Sequence, residues 1–253
     1  MPANLDGVFW LVLSLAPLLV LQRTLQREVQ TIFLLVTRRE DISITLFSVL
    51  FFPGVLLHEG SHFVMARVMG VRTGRFSLIP RPTGDGKLQL GFVETASVDW
   101  FRDALIGMAP FLAGGLFVAF AGLRQLQLLM LGQVLWSEGP QVFSQSLSLL
   151  MARPDFWLWF YLALVVSSTM LPSESDRRAW LPLGFILAGL TGLALFLGAG
   201  PWMLENLARP FNQVLHAIAM VFTISAVLHL SLLPFIWLVR RLLSRLLGLE
   251  VMI

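Results

Sequence analysis

Apolar runs alternate with short polar stretches along the whole chain. Several of these runs approach or exceed the roughly 20 residues that a helix needs to cross the hydrocarbon core of a bilayer. The pattern predicts about six membrane-spanning helices. Their approximate bounds are Gly7–Leu21, Ile42–Met69, Asp103–Leu123, Phe156–Leu171, Leu183–Leu197 and Asn212–Val239.

One region departs from this pattern, between residues 71 and 98. Two short segments of alternating polarity, RFSLI and KLQLGFV, flank a cluster of turn-forming residues that includes Gly84 and Gly86. Alternation around such a cluster is typical of a β-hairpin. The predicted fold class is therefore an all-α polytopic membrane protein with a small β-hairpin after its second span. A single integral-membrane domain covers residues 1–253, and the pattern does not place residues 124–155.

The composition supports a membrane protein. Hydrophobic residues make up 57% of the chain and charged residues 13%, against about 25% charged residues in a typical soluble domain. The net charge is +3, and many Arg residues border apolar runs, where they suit lipid headgroups better than nucleic acid. We therefore expect a lipid bilayer and no nucleic acid as a partner.

The strongest chemical signal is the segment HEGSH at the end of the second predicted span. His58 and His62 are four residues apart, so on a helix they lie one turn above each other and can hold one ion. Glu59 lies close enough to reach a water on that ion. An ionisable residue inside an apolar helix is costly, which favours a functional role over packing. The chain has no Cys, so any metal must use His, Asp or Glu.

A catalytic zinc ion usually has three protein ligands and a water, so two imidazoles are too few. The segment around Pro172 supplies candidates, because proline breaks the helix and lets a carboxylate turn back toward the site. Asp176 is the first choice for the third ligand and Glu174 the second. The alternative is that both acids cap the next helix.

The remaining two histidines, His216 and His229, do not extend this motif. They are thirteen residues apart and project about 140° apart on a helix, so they cannot share one face. We expect each to make hydrogen bonds within the helix bundle.

Three features in this order resemble the site-2 protease family of intramembrane metallopeptidases, over about residues 42–180. They are HEGSH near the end of a membrane helix, a hairpin followed by a small-residue helix containing Ala109 and Pro110, and a helix ending before an acid. The resemblance implies one Zn²⁺ per chain, bound by His58, His62 and Asp176. Thr169 stands where the family often has Asn, and Arg177 where it has Gly.

The resemblance further implies that the protein hydrolyses peptide bonds in or near transmembrane segments of other proteins, with Glu59 as the general base. It points to a bacterial cell membrane. The distribution of basic residues favours a site that faces the cytoplasm.

The hairpin is expected to pair with an extended substrate segment, since an exposed strand edge can replace backbone hydrogen bonds lost on unwinding. A structural plug over the site is the alternative. The candidate substrate-binding residues on this edge are Arg75, Phe76, Ser77, Leu78, Leu88 and Leu90.

Other classes of function stay open on the sequence alone. A membrane regulator or metal carrier without peptidase activity can use the same HExxH site, and a transporter or scaffold can contain the motif by chance. A prenyl-protein peptidase also uses HExxH, but it needs a downstream helical Glu ligand. Glu174 suits that role poorly because it follows Pro172.

Overall fold

The computed structural model describes residues 6–79, 81–82, 88–89 and 91–248. This part of the chain is mainly helical. The helices are α1 (Gly7–Thr37), α2 (Glu40–Val68), α3 (Trp100–Phe120), α4 (Leu128–Ser137), α5 (Pro140–Met151), α6 (Phe156–Ser167), α7 (Trp180–Phe196), α8 (Gly200–Asn206) and α9 (Ala208–Leu247). A π-helical turn, Ala121–Gln125, continues α3.

Among the described residues, four helices are long and apolar enough to cross a membrane: α1, α2, α3 with its π-helical turn, and α9. Two bent pairs can each add one span. The α5–α6 pair is bent by 95° and the α7–α8 pair by 116°. The predicted number of about six spans is therefore the upper end of what these helices allow.

The first predicted span ends too early, because α1 runs on to Thr37 as one helix of 31 residues. The polar residues after Leu21 are good helix formers, and several have partners in the bundle. The Glu28 carboxylate pairs with the Arg240 guanidinium of α9. A polar stretch that finds partners on neighbouring helices has no reason to leave the helical conformation.

The ends of two other predicted spans also differ. Helix α6 ends at Ser167, so it has only 12 residues and is too short to cross a bilayer without α5. Helix α9 extends to Leu247 and has 40 residues. Residues 124–155, which the pattern did not place, form the end of the π-helical turn, α4 and α5.

The predicted hairpin is confirmed in its described parts. Strand β1 (Thr73–Ser77) pairs antiparallel with β4 (Phe92–Thr95), and β2 (Arg81–Pro82) pairs with β3 (Leu88–Gln89). A register shift lies between Thr73 and Phe76. Of the predicted turn residues, Pro82 lies in β2, whereas Gly84, Asp85 and Gly86 lie outside the described residues.

Small residues bring three helices together where the site forms. A side chain at Gly54 of α2 would collide with the Val165 carbonyl oxygen of α6, and one at Gly114 of α3 would collide with the Met170 side chain. The small residues of the third predicted span were expected to allow close packing, and Gly114 confirms this. The close approach fixes the spacing of α2, α3 and α6.

Gly54→Ala should therefore destabilise the fold. Its Cβ would lie about 2.5 Å from Thr169 Oγ1 and even closer to the Val165 carbonyl, and forced overpacking typically costs about 1–3 kcal/mol. Gly60→Ala is the matched control on the same helix, because no atom lies within 4 Å of its added Cβ. Thermal unfolding in detergent should show a lower melting temperature for Gly54→Ala alone. Equal melting temperatures would contradict the proposed contact.

Candidate metal centre

The two histidines of the HEGSH segment stand one turn apart on α2, with ring centroids 5.0 Å apart. Each Nδ1 contacts a main-chain carbonyl of another element. The distance is 2.6 Å from His58 Nδ1 to the Thr169 oxygen and 2.8 Å from His62 Nδ1 to the Ile106 oxygen. A carbonyl oxygen only accepts hydrogen bonds, so Nδ1 carries the proton in both rings. The Nε2 atom of each ring is therefore the one available to a metal.

Both Nε2 atoms face the carboxylate of Asp176. The distance is 3.6 Å from His58 Nε2 to Oδ2 and 3.2 Å from His62 Nε2 to Oδ1. The Ser173 N–H donates to Oδ2 at 2.7 Å. One potential ligand atom from each of the three side chains lies within 4.8 Å of the others. In the part of the chain that the structure describes, this is the one group with metal-binding geometry.

The interruption of helical structure at Pro172 brings Asp176 to this position. In a continuing helix the Ser168 carbonyl would accept from the N–H of residue 172, which proline lacks. The side-chain amides of Gln22 and Gln26 on α1 donate to that carbonyl instead, at 2.6 and 3.0 Å. The Ser168 carbonyl therefore stays hydrogen-bonded where the chain leaves the helix. The two glutamines attach this point to α1.

A glycine on α3 completes the placement of the Asp176 loop. The Asp176 carbonyl lies so close to Gly107 that any Cβ there would overlap it. Helix α3 therefore contacts both sides of the group, since its Ile106 carbonyl binds His62 and its next residue admits the Asp176 backbone.

The donor set suits a zinc ion. Two imidazole nitrogens, one carboxylate and an open position are the usual set for catalytic zinc, and ligand atoms around a tetrahedral ion lie about 3.4 Å apart. The two distances to Asp176 fall on either side of that value. Without a cation, both rings would have to be imidazolium to hydrogen-bond the carboxylate through Nε2, and adjacent like charges repel. A divalent cation removes this conflict.

Asp176 has the ionisation state that a cation needs. Burial acts to raise the pKa of its carboxyl group. The Ser173 N–H that donates to Oδ2 and the two imidazoles that face the carboxylate outweigh burial and hold the pKa well below its ordinary value. The side chain is therefore a carboxylate at neutral pH.

Glu59 lies beside this group. It is only 8% exposed and lines the same cavity of about 990 Å³ as His58, His62 and Asp176. The hairpin covers it closely, because a Cβ at Gly91 would be 2.8 Å from Glu59 Cγ and 3.1 Å from the Ser77 carbonyl oxygen. The site thus has a carboxylate that is not part of the ligand group, under a backbone segment without a side chain.

Of the two proposed third ligands, the structure groups Asp176 with the histidines. Glu174 lines the cavity but does not belong to the group of three. The order of preference made from the sequence therefore agrees with the geometry.

Of the six expected residues, the four whose side chains the structure describes do not line the cavity. Gly91, Phe92, Val93 and Thr95 line it. Of the predicted set, Phe76 stacks edge-on against Phe63 of α2, and Leu78 packs against an apolar cluster of helices α1, α2 and α6. Arg75 and Ser77 belong to β1, while Leu90 and the side chain of Leu88 lie outside the described residues.

Gly91 is the site residue that the sequence reasoning missed. A glycine inside a strand pattern often marks the close approach of another group, so a signal was available. Such a glycine indicates a close contact but not its partner. The partner here, Glu59, lies 32 residues earlier in the chain.

The other two histidines make hydrogen bonds within the bundle, as expected. His229 Nε2 lies 2.9 Å from Ser168 Oγ, and His216 Nε2 lies 3.0 Å from Asp6 Oδ1. Neither belongs to the group of three.

Comparison of the chain with known protein families, curated proteins and solved structures finds no match. A functional assignment must therefore come from the geometry and chemistry of the site itself.

Asp176→Asn should weaken the retention of zinc by the purified protein. The change removes the negative charge and one potential oxygen ligand. The loss of zinc affinity should therefore exceed the roughly 10- to 100-fold that is typical when a residue hydrogen-bonded to a ligand is replaced. Glu174→Gln is the matched control on the same loop and should keep its metal. Zinc content and chelator competition measure both. Loss of metal in the control alone would assign the third ligand to Glu174.

Proposed function

We propose that this protein is an intramembrane zinc metallopeptidase of the site-2 protease type. The proposal rests above all on one observation: both imidazoles of the HEGSH segment donate Nδ1–H to backbone carbonyls and turn Nε2 toward the same carboxylate. Fixed tautomers of this kind are typical of metal-ligating histidines. The long apolar helices support a place in the membrane.

His58, His62 and Asp176 would hold the ion, and their loop and helix contacts fix the position of each donor. When bound, zinc supplies Lewis acidity, which lowers the pKa of a coordinated water and polarises a carbonyl group.

Glu59 performs the proton transfer in this proposal. Its side-chain carboxylate accepts a proton from the attacking water and then delivers it to the nitrogen of the departing amine. Its burial keeps bulk water away, and electrostatic interactions are stronger in such a site. The position next to His58 in the chain places it beside the ligands without making it one.

The hairpin supports a peptide as the substrate. A peptide bond in a membrane helix is shielded by its own hydrogen bonds, so cleavage requires an extended segment. Strand β4 runs along the cavity wall and belongs to a two-stranded pair, so a substrate segment can pair with the edge that β1 leaves open. This arrangement would hold an unwound segment above Glu59.

Glu59→Gln should abolish peptide hydrolysis without removing the metal. The amide keeps the shape of the side chain but cannot accept the proton, and general bases contribute about 10²- to 10⁴-fold to rate. Cleavage of a transmembrane model substrate in proteoliposomes, with zinc analysis on the same preparation, measures both properties. Undiminished turnover would reject the peptidase proposal, and a metal carrier or regulator would then be the better assignment.

Gly91→Ala should reduce turnover and leave zinc content unchanged. The new methyl group would press on Glu59 Cγ and on the backbone of Ser77, which displaces either the general base or the hairpin. Gly74→Ala is the hairpin control, because its nearest neighbours belong to the Glu94 side chain, whose exposed end can move. Equal activity of the two variants would show that the contact with Glu59 has no catalytic importance.

A further inference from the structure

Helix α3 contains a proline four residues after the carbonyl that binds His62. In an α-helix the carbonyl of residue 106 accepts from the N–H of residue 110. Residue 110 is Pro110, which has no N–H. The Ile106 carbonyl is therefore left without its α-helical donor.

Such a carbonyl needs another partner. The Pro110 side chain is fully buried, and buried backbone groups without a hydrogen bond are rare because the lost bond costs free energy. His62, itself only 7% exposed, fills this place with its Nδ1 at 2.8 Å. The ring of a proline also pushes against the carbonyl four residues earlier and opens the helix there, which gives the imidazole room.

We propose that Pro110 is a positioning residue of the metal centre. By withholding an N–H it reserves the Ile106 carbonyl for His62, which fixes the tautomer of that imidazole and aims Nε2 toward Asp176. The inference deepens the proposed zinc site and depends on it. Pro110 supplies no ligand atom and acts by positioning His62.

The same arrangement occurs a second time beside the site. Pro172 leaves the Ser168 carbonyl without a helical donor, and side chains of another helix, Gln22 and Gln26, donate to it. In both cases a carbonyl four residues before a proline becomes an acceptor for a distant polar side chain. One such carbonyl holds a ligand ring, and the other anchors the start of the loop that carries Asp176.

The turn of α3 from Ile106 to Pro110 has a second role in the same site, since Gly107 admits the Asp176 backbone. A change in the shape of this turn would therefore displace two ligands relative to each other. This makes zinc affinity the sensitive measure of Pro110.

The test compares two replacements of Pro110 that differ in one group. Pro110→Ala restores the N–H, which then competes with His62 for the Ile106 carbonyl. Replacement of Pro110 by lactic acid, which puts an ester in the backbone, has the same methyl side chain but no N–H. Pro234→Ala is the control, because Pro234 also lies inside an apolar helix, α9, and is exposed.

The dissociation constant for zinc is measured by chelator competition, together with the absorption spectrum of the Co²⁺-loaded protein. We expect Pro110→Ala to bind zinc about 10- to 100-fold more weakly, the range for groups that orient ligands, with an altered Co²⁺ spectrum. The ester variant and Pro234→Ala should keep the wild-type affinity and spectrum.

Three results would overturn the inference. Wild-type affinity in Pro110→Ala would show that the missing N–H has no effect. Equal weakening in the alanine and ester variants would assign the effect to the proline ring. A wild-type protein without stoichiometric zinc would reject the proposed function and this inference with it.

If Pro110→Ala does not fold, the ester variant alone decides: unchanged affinity supports a role for the absent N–H, and weakened affinity rejects it.

Discussion

The site depends on one type of hydrogen bond, that from an imidazole Nδ1–H to a backbone carbonyl of a different element. His58 uses the Thr169 carbonyl just after the end of α6, and His62 uses the Ile106 carbonyl inside α3. These two bonds tie the motif helix to the two elements that surround Asp176. They also decide which nitrogen of each ring is free, so packing and the proposed metal binding depend on the same contacts.

The constraint behind these bonds is the cost of an unpaired polar group in apolar surroundings. A helix satisfies its own backbone, so free carbonyls arise only where a helix ends or where a proline removes a donor. Thr169 follows the end of α6, and Ile106 precedes Pro110 by four residues. The carbonyls that hold the two rings are thus products of local breaks in regular structure. The same reasoning explains why Gln22 and Gln26 of α1 face the Ser168 carbonyl.

The sequence predicted the parts of the site that depend on side-chain identity and helical spacing. HEGSH identified His58, Glu59 and His62, because residues four apart share a helix face whatever the rest of the fold does. Pro172 made both Asp176 and Glu174 candidates, the resemblance to site-2 proteases implied Asp176, and the structure groups Asp176 with the histidines. The backbone contacts of Ile106 and Thr169 left no side-chain signal. Thr169 contributes its carbonyl to His58, so its difference from the Asn common in site-2 proteases does not affect that hydrogen bond.

The positions of most long helices could be predicted from the sequence, but their ends and bends could not. Apolar runs located the helices, but their ends were wrong where polar residues found partners inside the bundle, as Glu28 does with Arg240. Short apolar helices were mistaken for complete spans because hydropathy does not report the sharp bends between α5 and α6 or between α7 and α8. The register of the hairpin, and the face to which each side chain points, depend on its packing against α2. The alternation of polar and apolar residues in a single strand cannot reveal that packing.

The position of the hairpin adds a last constraint on how the site can work. Gly91 lies against Glu59 with no room for a side chain, so access to this carboxylate from the hairpin side is limited to backbone. A substrate segment paired with β4 would be held close to Glu59 because β4 starts at the very next residue, Phe92. The glycine that closes the space above Glu59, the proposed general base, therefore also sets how near an extended chain can come. A bulky residue at this point would separate the strand from the carboxylate, and the ligand group would remain in place without a substrate within reach.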